Sequence, residues 1–356
     1  MSLPFATHPP ASGAGPLSAP GAPAPDAPVH GSRLRGARSG VVWAHGRVKN
    51  FLGAAIALVV LIVLLATTGP TFVTTGNLKN VLVTNSSLMI VSVGMTFVMI
   101  SAGFDLSVGA MMAGAEEVLY QLVRAGVPAV AALVLVAVAG FLIGALVNGL
   151  FIGALGINFF VVTLGTMTLL YGLVDVVTNG ASETIQSSTL TRLGNGTLWG
   201  VPMPVVVTIV VVALGGAVLR WTAYGRSIYG AGGNREAARL AGVRVPLVLM
   251  SVYGIAALCG ALAGLIQASR LAAATPTDGS SIALISGAAV LLGGTSLFGG
   301  SGGLTGTVVG VAVIGVLGNG VNLLGVSNFW QDVVTGAVLL GAILLDRLQR
   351  RGQQAH

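Results

Sequence analysis

The chain has 356 residues, of which 54% are hydrophobic and only 8% are charged. A soluble domain is typically about 25% charged, so this composition excludes a soluble globular protein. The net charge is +7, but the 17 lysine and arginine residues are scattered along the chain, which argues against nucleic acid as a partner. One cysteine and four histidines, the latter near the polar ends, form no pattern typical of a metal or redox centre.

Residues 1–47 are rich in proline, alanine, glycine and serine and have few large apolar side chains. Such a segment buries too little apolar surface to offset the entropy of ordering, and we interpret it as a disordered cytoplasmic tail. Five basic residues between positions 33 and 49 precede the first apolar run, 51–66. A secretory signal is only about 15 to 30 residues long, so this run is predicted to be an uncleaved first span.

Nine further apolar stretches follow, each near the roughly 20 residues that a spanning helix needs. With the N-terminus inside, 13 of the 17 basic residues fall on the cytoplasmic side, as the positive-inside rule requires. We predict an all-α integral membrane protein with about ten transmembrane helices and both termini cytoplasmic, its transmembrane domain covering 48–347 and a C-terminal tail 348–356. The nine stretches are 82–101, 107–123, 128–153, 159–178, 203–219, 247–268, 282–298, 304–325 and 329–345.

Glycine-containing breaks interrupt the apolar pattern at Ser101–Ala110 and Gly293–Gly306. Irregular backbone at membrane depth is tolerated only inside protein or along a water-filled cavity, so each break is either part of a pathway or an interfacial turn. Small residues four apart also let helices approach closely in lipid. Three such glycine pairs lie in apolar runs: Gly140 and Gly144, Gly260 and Gly264, and Gly306 and Gly310.

No residue set resembles a catalytic centre. Both lysines are followed by asparagine, so the chain has no phosphate-binding GxxxxGK[ST] loop and is expected to be neither an enzyme nor an ATPase. Three acidic residues, Asp105, Asp175 and Asp332, lie near predicted span ends, where water is expected to reach them.

Glu116 and Glu117 are different, because they interrupt the third predicted span. A charged side chain near a span centre costs about 2.5 to 3.5 kcal/mol on the insertion scale. Either one of them contacts a translocation path, or the span edge is shifted so that both lie at the outer surface. An ion-coupled secondary carrier that uses Glu116 or Glu117 is therefore one interpretation of the chain.

The charged stretch 220–246 is too long for a tight turn between helices. Asn234 is a good N-cap, Glu236 favours the first turn of a helix, and Gly242 is placed as a C-cap. These signals predict a helix of about two turns. Because isolated helices this short are marginal, it is expected to dock on a lipid or protein surface.

Four stretches resemble the ribose-type permeases of bacterial ABC importers, over about residues 50–350. In this family the short helix of the 220–246 loop sits in a cleft of the ATP-hydrolysing subunit. The resemblance assigns the ATPase contact to Gly233, Asn234, Glu236, Ala237, Ala238 and Gly242. The four stretches are Phe104–Gly109 (FDLSVG), Asn158–Met167 (NFFVVTLGTM), Gly225–Val245 (GRSIYGAGGNREAARLAGVRV) and Gly293–Thr307.

The resemblance implies a multi-pass protein of the bacterial plasma (inner) membrane, surrounded by lipid. Two permease copies, identical or close paralogues, would surround one pore. The partner ATPase subunits would bind ATP and magnesium, this chain would hold no cofactor, and a soluble solute-binding protein would lie outside. An inverted repeat of spans two to five against seven to ten fits this topology, because an offset of five spans reverses orientation.

The function expected from the resemblance is ATP-driven import of a small polar solute, most simply a monosaccharide, by alternating access. A branched-chain amino-acid permease uses the same machinery but would want buried charges of both signs, and the spans have almost no basic residues. The sequence differs from relatives at Glu116, Glu117, Ser280 and Ser281. Residues expected on the solute path are Asn85, Glu116, Asn148, Thr163, Asn319 and Asn322, although hydrogen bonds between helices explain each asparagine and threonine equally well.

Overall fold

The computed structural model describes residues 36–69 and 71–325, together with the isolated positions 330, 333, 336, 337 and 341. The chain divides into two compact units, 1–43 and 44–356, and the description below concerns the second. Most of the predicted N-terminal tail, Asp332, most of the tenth predicted span and the predicted C-terminal tail lie outside the described residues.

Helices account for most of the described chain, with four two-residue strands between them. The fifth helix continues without interruption into a π-helical segment. The helices are α1 (Gly36–Thr68), α2 (Thr75–Thr84), α3 (Ser86–Ile100), α4 (Val108–Arg124), α5 (Ala129–Ile143) with its π-helical segment (Gly144–Ala154), α6 (Phe159–Thr178), α7 (Ser188–Asn195), α8 (Met203–Trp221), α9 (Ala223–Gly233), α10 (Arg235–Leu240), α11 (Val245–Leu271), α12 (Ile282–Leu292) and α13 (Leu304–Leu323).

Five helices in the described ranges are long and apolar enough to cross a membrane: α5 with its π-helical segment, α6, α8, α11 and α13. The pair α2 and α3, bent by 42°, makes a sixth candidate. Two shorter apolar helices, Leu52–Thr68 within α1 and α12, fall on the first and eighth predicted spans. The all-α membrane fold is thus confirmed, whereas ten spans, cytoplasmic termini and an inverted repeat remain predictions.

Helix α11 is the centre of the bundle. In the most apolar 18-residue stretch of α11, 61% is buried inside the protein, whereas the corresponding share for α6 is 17%. Its small residues explain this, because a Cβ on Gly260 would lie 2.7 Å from the Val108 carbonyl oxygen, and one on Gly140 would lie 2.7 Å from the Ala261 Cβ. Close backbone contact replaces the hydrophobic driving force that is absent between helices in lipid. The predicted close packing at these glycines is confirmed.

The strands connect loops rather than build a sheet. Strand β1 (Glu183–Thr184) pairs antiparallel with β4 (Ala273–Ala274), with Glu183 opposite Ala274. Strands β2 (Thr197–Leu198) and β3 (Val201–Pro202) form a second antiparallel pair. The β1–β4 pair fixes the chain directly after α11, and so it positions residues 275–281, which we call the cavity loop.

Candidate functional site

A cavity of about 400 Å³ lies among α2, α3, α11, α13 and the cavity loop. This volume is within the range of about 300–1,000 Å³ that is usual for small-molecule sites. Amide and hydroxyl side chains dominate its polar wall. These side chains belong to Asn80, Thr84, Asn85, Ser87, Gln267, Thr277, Ser280, Ser281, Asn319 and Asn322.

Three of the six residues expected on the solute path, Asn85, Asn319 and Asn322, line this cavity together. Asn319 forms a reciprocal amide pair with Asn77, with both N···O distances 2.9 Å, and this pair connects α13 to α2. Asn85 lies at the bend between α2 and α3, where its Nδ2 donates to the Val81 carbonyl oxygen at 2.8 Å. A Cβ at position 315 would lie 2.6 Å from the Asn85 side chain, so the absence of a Cβ at Gly315 leaves room for Asn85.

The other two uncharged candidates lie elsewhere, Asn148 in a contact between helical segments and Thr163 in a hydrogen bond within its own helix. Asn148 Nδ2 donates to the Ser107 hydroxyl at 2.7 Å, and the Thr166 hydroxyl donates to Asn148 Oδ1 at 2.7 Å. The Thr163 hydroxyl donates to the Phe159 carbonyl oxygen of its own helix at 2.8 Å. Neither Asn148 nor Thr163 is among the residues that line the cavity.

The expectation that water reaches Asp105 is wrong. Its side chain is fully buried, and its Oδ1 accepts from the backbone N–H of Ser107 at 2.9 Å and from the Ser107 hydroxyl at 2.6 Å. Asn148 Nδ2 lies 3.4 Å from the same oxygen. These donors replace water, and they connect the first glycine-containing break to the π-helical segment. Asp175, in contrast, is exposed, as expected.

Glu116 and Glu117 are both buried, at 0% and 6% exposure, so the protein encloses both side chains, and their depth in the membrane stays a prediction. Glu117 Oε1 accepts from Gln121 Nε2 at 2.7 Å within α4. Glu116 Oε2 accepts from the backbone N–H of Thr275 at 3.1 Å, at the start of the cavity loop. Glu116 is therefore close to the cavity wall without lining the cavity.

Sequence reasoning missed Asp278, which lines the cavity and contacts Glu116. The two carboxyl groups are neighbours, and the Tyr171 hydroxyl donates to the Asp278 carbonyl oxygen at 3.4 Å. Asp278 stands in the sequence Thr-Pro-Thr-Asp-Gly, which is typical of a turn, and turn chemistry alone explains an aspartate there. Its partner is 162 residues away, so spacing gives no signal for the pair.

The predicted short helix in the 220–246 loop is confirmed as α10. Asn234 Oδ1 accepts from the backbone N–H of Ala237 at 3.0 Å, and Gly242 has a φ of +83°, which suits a helix C-terminus. Helix α9, in the first half of the loop, was not predicted. Its N-cap is Thr222, whose hydroxyl oxygen accepts from the backbone N–H of Gly225 at 3.0 Å.

The six residues expected to contact an ATPase do not share one face. Gly233, Asn234, Glu236, Ala237 and Gly242 are exposed. Ala238 is only 6% exposed, because its side chain is part of the core cluster of the chain itself. Leu240, which sequence reasoning omitted, is a large apolar side chain at 83% exposure.

The end of α9 contacts both glycine-containing breaks. The backbone N–H of Gly300 donates at 2.9 Å to the carbonyl oxygen of Ile100, the residue before the first break, and a Cβ on Gly299 would lie 2.6 Å from the Cβ of Ala102 in that break, so the two breaks are in contact. A Cβ on Gly232 would overlap the Ile100 carbonyl oxygen and lie 3.0 Å from the Gly300 nitrogen. We call this contact of Ile100, Gly232 and Gly300 the glycine junction. Neither break lines the cavity, and both lie beside the end of α9; whether either is part of a pathway stays a prediction.

Comparison with known proteins identifies the family. The profile of the family described as the permease component of branched-chain amino acid transport systems matches residues 77–343. The ribose import permease protein RbsC of Bacillus subtilis is 40% identical over 302 residues, which are 84% of this chain and 94% of the relative. The chain belongs to the ribose-type family of ABC importer permeases. The permease is therefore a multi-pass membrane protein, and its family consists of transport subunits that lack an ATPase site of their own.

Other relatives of the permease carry the names of other sugars. The L-arabinose transport system permease protein AraH of Escherichia coli is 34% identical over 315 residues, 88% of this chain and 95% of the relative. The D-allose transport system permease protein AlsC of the same species is 33% identical over 298 residues, 83% and 91% of the two chains. No solved structure was found to match the permease.

Proposed function

We propose that the permease forms the path by which an ATP-driven importer moves an uncharged monosaccharide through the membrane. The cavity carries this proposal, because its polar wall offers neutral amides and hydroxyls, which can both donate to and accept from sugar hydroxyls. Relatives named after ribose, arabinose and allose support the same solute class. Asn85, Asn319 and Asn322 are proposed solute contacts, and Glu116 acts through Asp278.

Alternating access is the proposed mechanism, with ATP and magnesium bound by a partner ATPase. Helix α10 would dock on that ATPase through the exposed residues Gly233, Asn234, Glu236, Ala237 and Gly242, with Leu240 added as an apolar contact. Closure of the ATPase would then move α10 and the end of α9. A second permease copy completes the pore, and a solute-binding protein delivers the solute from outside.

Uptake by the complete transporter tests the solute path. The complex is purified from native membranes, reconstituted in vesicles with its binding protein, and supplied with labelled ribose, arabinose or allose. Asn322→Leu removes an amide from the cavity wall and is expected to lower uptake by about 5- to 10-fold, the effect of roughly one lost hydrogen bond. Leu323→Ala, at the next residue of α13 and off the cavity wall, is the control and should transport normally.

Two outcomes would contradict the proposal. Equal uptake by Asn322→Leu and Leu323→Ala would exclude the cavity as the solute path. Uptake by the permease alone, without ATP and abolished by an uncoupler, would instead establish the ion-coupled secondary carrier.

A further inference from the structure

Glu116 and Asp278 form a buried contact between α4 and the cavity loop. Glu116 is fully buried, and Asp278 is partly exposed on the cavity wall. One oxygen of each, Glu116 Oε1 and Asp278 Oδ2, is buried and has no hydrogen-bond partner among the described residues. Two neighbouring ionised carboxylates repel each other, whereas a single proton shared between them satisfies both oxygens.

The surroundings determine which residue holds that proton. Glu116 Oε2 accepts from the backbone N–H of Thr275, so a protonated Glu116 can use its Oε1–H as a donor to Asp278 Oδ2. Asp278 Oδ1 accepts from the backbone N–H of Gly279 at 3.1 Å, and Asp278 is a partly exposed residue of the cavity wall. A negative charge is better solvated at Asp278, while the fully enclosed Glu116 suits the neutral form.

Asp278 carries the carboxyl group of the cavity wall, and the charged group of Arg270 lies behind the wall, where its Nη2 donates to Gln267 Oε1 at 3.2 Å. Among the described residues that line the cavity, Asp278 is the one with an ionisable side chain, and lysine, arginine and histidine are absent from the wall. A carboxylate accepts hydrogen bonds from solute hydroxyls but repels anions, and this repulsion is strong where little water separates the charges.

We infer that Glu116 and Asp278 share one proton, with the negative charge on Asp278, and that this charge makes the cavity select uncharged hydroxyl-bearing solutes against anionic ones such as sugar acids and sugar phosphates. Glu116 is a positioning residue, because it holds the proton and fixes the Asp278 carboxylate at the wall. The solute class rests on the proposed function, but the charge of the cavity does not.

The single cysteine of the chain makes the local charge measurable. In a Cys259→Ala background, Ser281→Cys places a thiol on the cavity wall, three residues from Asp278. Its reaction rates with a cationic trimethylammonium and an anionic sulfonate methanethiosulfonate are measured on the purified permease complex. Each rate is divided by that of a free small thiol. We expect the cationic reagent to react about tenfold faster than the anionic one.

Two variants locate the charge. Glu116→Gln keeps a donor to Asp278 and an acceptor for Thr275, so the rate ratio should persist. Asp278→Asn alone removes the proposed charge while the enclosed Glu116 stays protonated, so the ratio should fall to near one and should not change further when Glu116→Gln is added. As a control, Ser227→Cys on α9, outside the cavity lining, should show a ratio that none of these changes alters. Size-exclusion profiles and the Ser227→Cys rates report whether each variant is folded.

Three results would overturn the inference. A ratio near one in the Ser281→Cys protein with both carboxyl groups intact means that the cavity carries no charge. A ratio that persists in the single variant Asp278→Asn places the charge on Glu116. A ratio that persists in the double variant means that another group sets it. The measurement needs no transport, so failure of the uptake experiment leaves its result intact.

Discussion

Alanine at Gly232 tests whether the glycine junction transmits movement from the 220–246 loop. An added Cβ would overlap the Ile100 carbonyl oxygen, lie 2.8 Å from the Ile100 carbonyl carbon and lie 3.0 Å from the Gly300 nitrogen. All three are backbone atoms, which cannot rotate away as a flexible side chain can. Either α9 moves away from the breaks, or the breaks separate from each other.

The size of the effect follows from two opposing contributions. Overpacking a well-packed site costs about 1–3 kcal/mol. Replacing a helical glycine by alanine gains about 0.8–1 kcal/mol through helix propensity. Gly230→Ala, on the same helix, gains helix propensity without the overpacking cost, because the nearest neighbour of its new Cβ would be the Ala238 Cβ at 3.9 Å. The two variants should therefore differ by about 1–3 kcal/mol, which corresponds to about 5- to 150-fold in a conformational equilibrium.

The assay is the ratio of solute imported to ATP hydrolysed by the reconstituted transporter. Gly232→Ala should lower this ratio at least fivefold while ATP hydrolysis continues, because α10 still docks but its movement no longer reaches both breaks. Gly230→Ala should keep the ratio of the unmodified transporter. If Gly232→Ala imports solute with a normal ratio, the junction does not transmit movement. If Gly232→Ala fails to fold, Tyr229→Phe is the variant to use in its place. It removes the 2.9 Å hydrogen bond from the Tyr229 hydroxyl to the Gly302 carbonyl oxygen without adding volume.

Two further substitutions separate docking from stability. Leu240→Arg should abolish co-purification of the ATPase with a C-terminally tagged permease, because it places a charge on an exposed apolar contact while leaving the permease folded; retention of the ATPase would place its contact elsewhere. Asn148→Ala should lower the melting temperature in detergent, because it leaves the buried Asp105 Oδ2 and the Thr166 hydroxyl without their hydrogen-bond partner, at a cost of about 1–3 kcal/mol. An unchanged melting temperature with impaired uptake would return Asn148 to the solute path.

The sequence predicts the apolar helices well because lipid makes the same demand along the whole chain: each spanning helix needs a long apolar stretch. The predicted stretch 159–178 coincides with α6, which begins after Asn158, whose side chain caps it by accepting from the Phe160 N–H at 2.8 Å. The cap signals at Asn234 are equally local, and they correctly predict α10.

The contacts that the sequence does not reveal are those between distant segments. Asp105 is buried because its partners include Asn148 from another helix, and a span-end position alone suggested water instead. Asp278 resembles an ordinary turn residue until the fold brings Glu116 to it. Helix α9 lacks a continuous apolar stripe, since glycine occupies four of its eleven positions, and it is helical where it packs beside α8 and α11.

Two helices connect the cavity to the glycine junction. Helix α3 has Ser87 on the cavity wall at its start and Ile100 in the junction at its end. Helix α12 begins at Ile282, also on the wall, and leads into the break that contains Gly300. At 1.5 Å per residue these helices are about 22 Å and 16 Å long. A packed helix moves largely as a unit, so a displacement of α9 at the junction would reach the cavity wall through both. The proposed solute selection at Asp278 and the proposed coupling at Gly232 would thus lie near opposite ends of the same two helices.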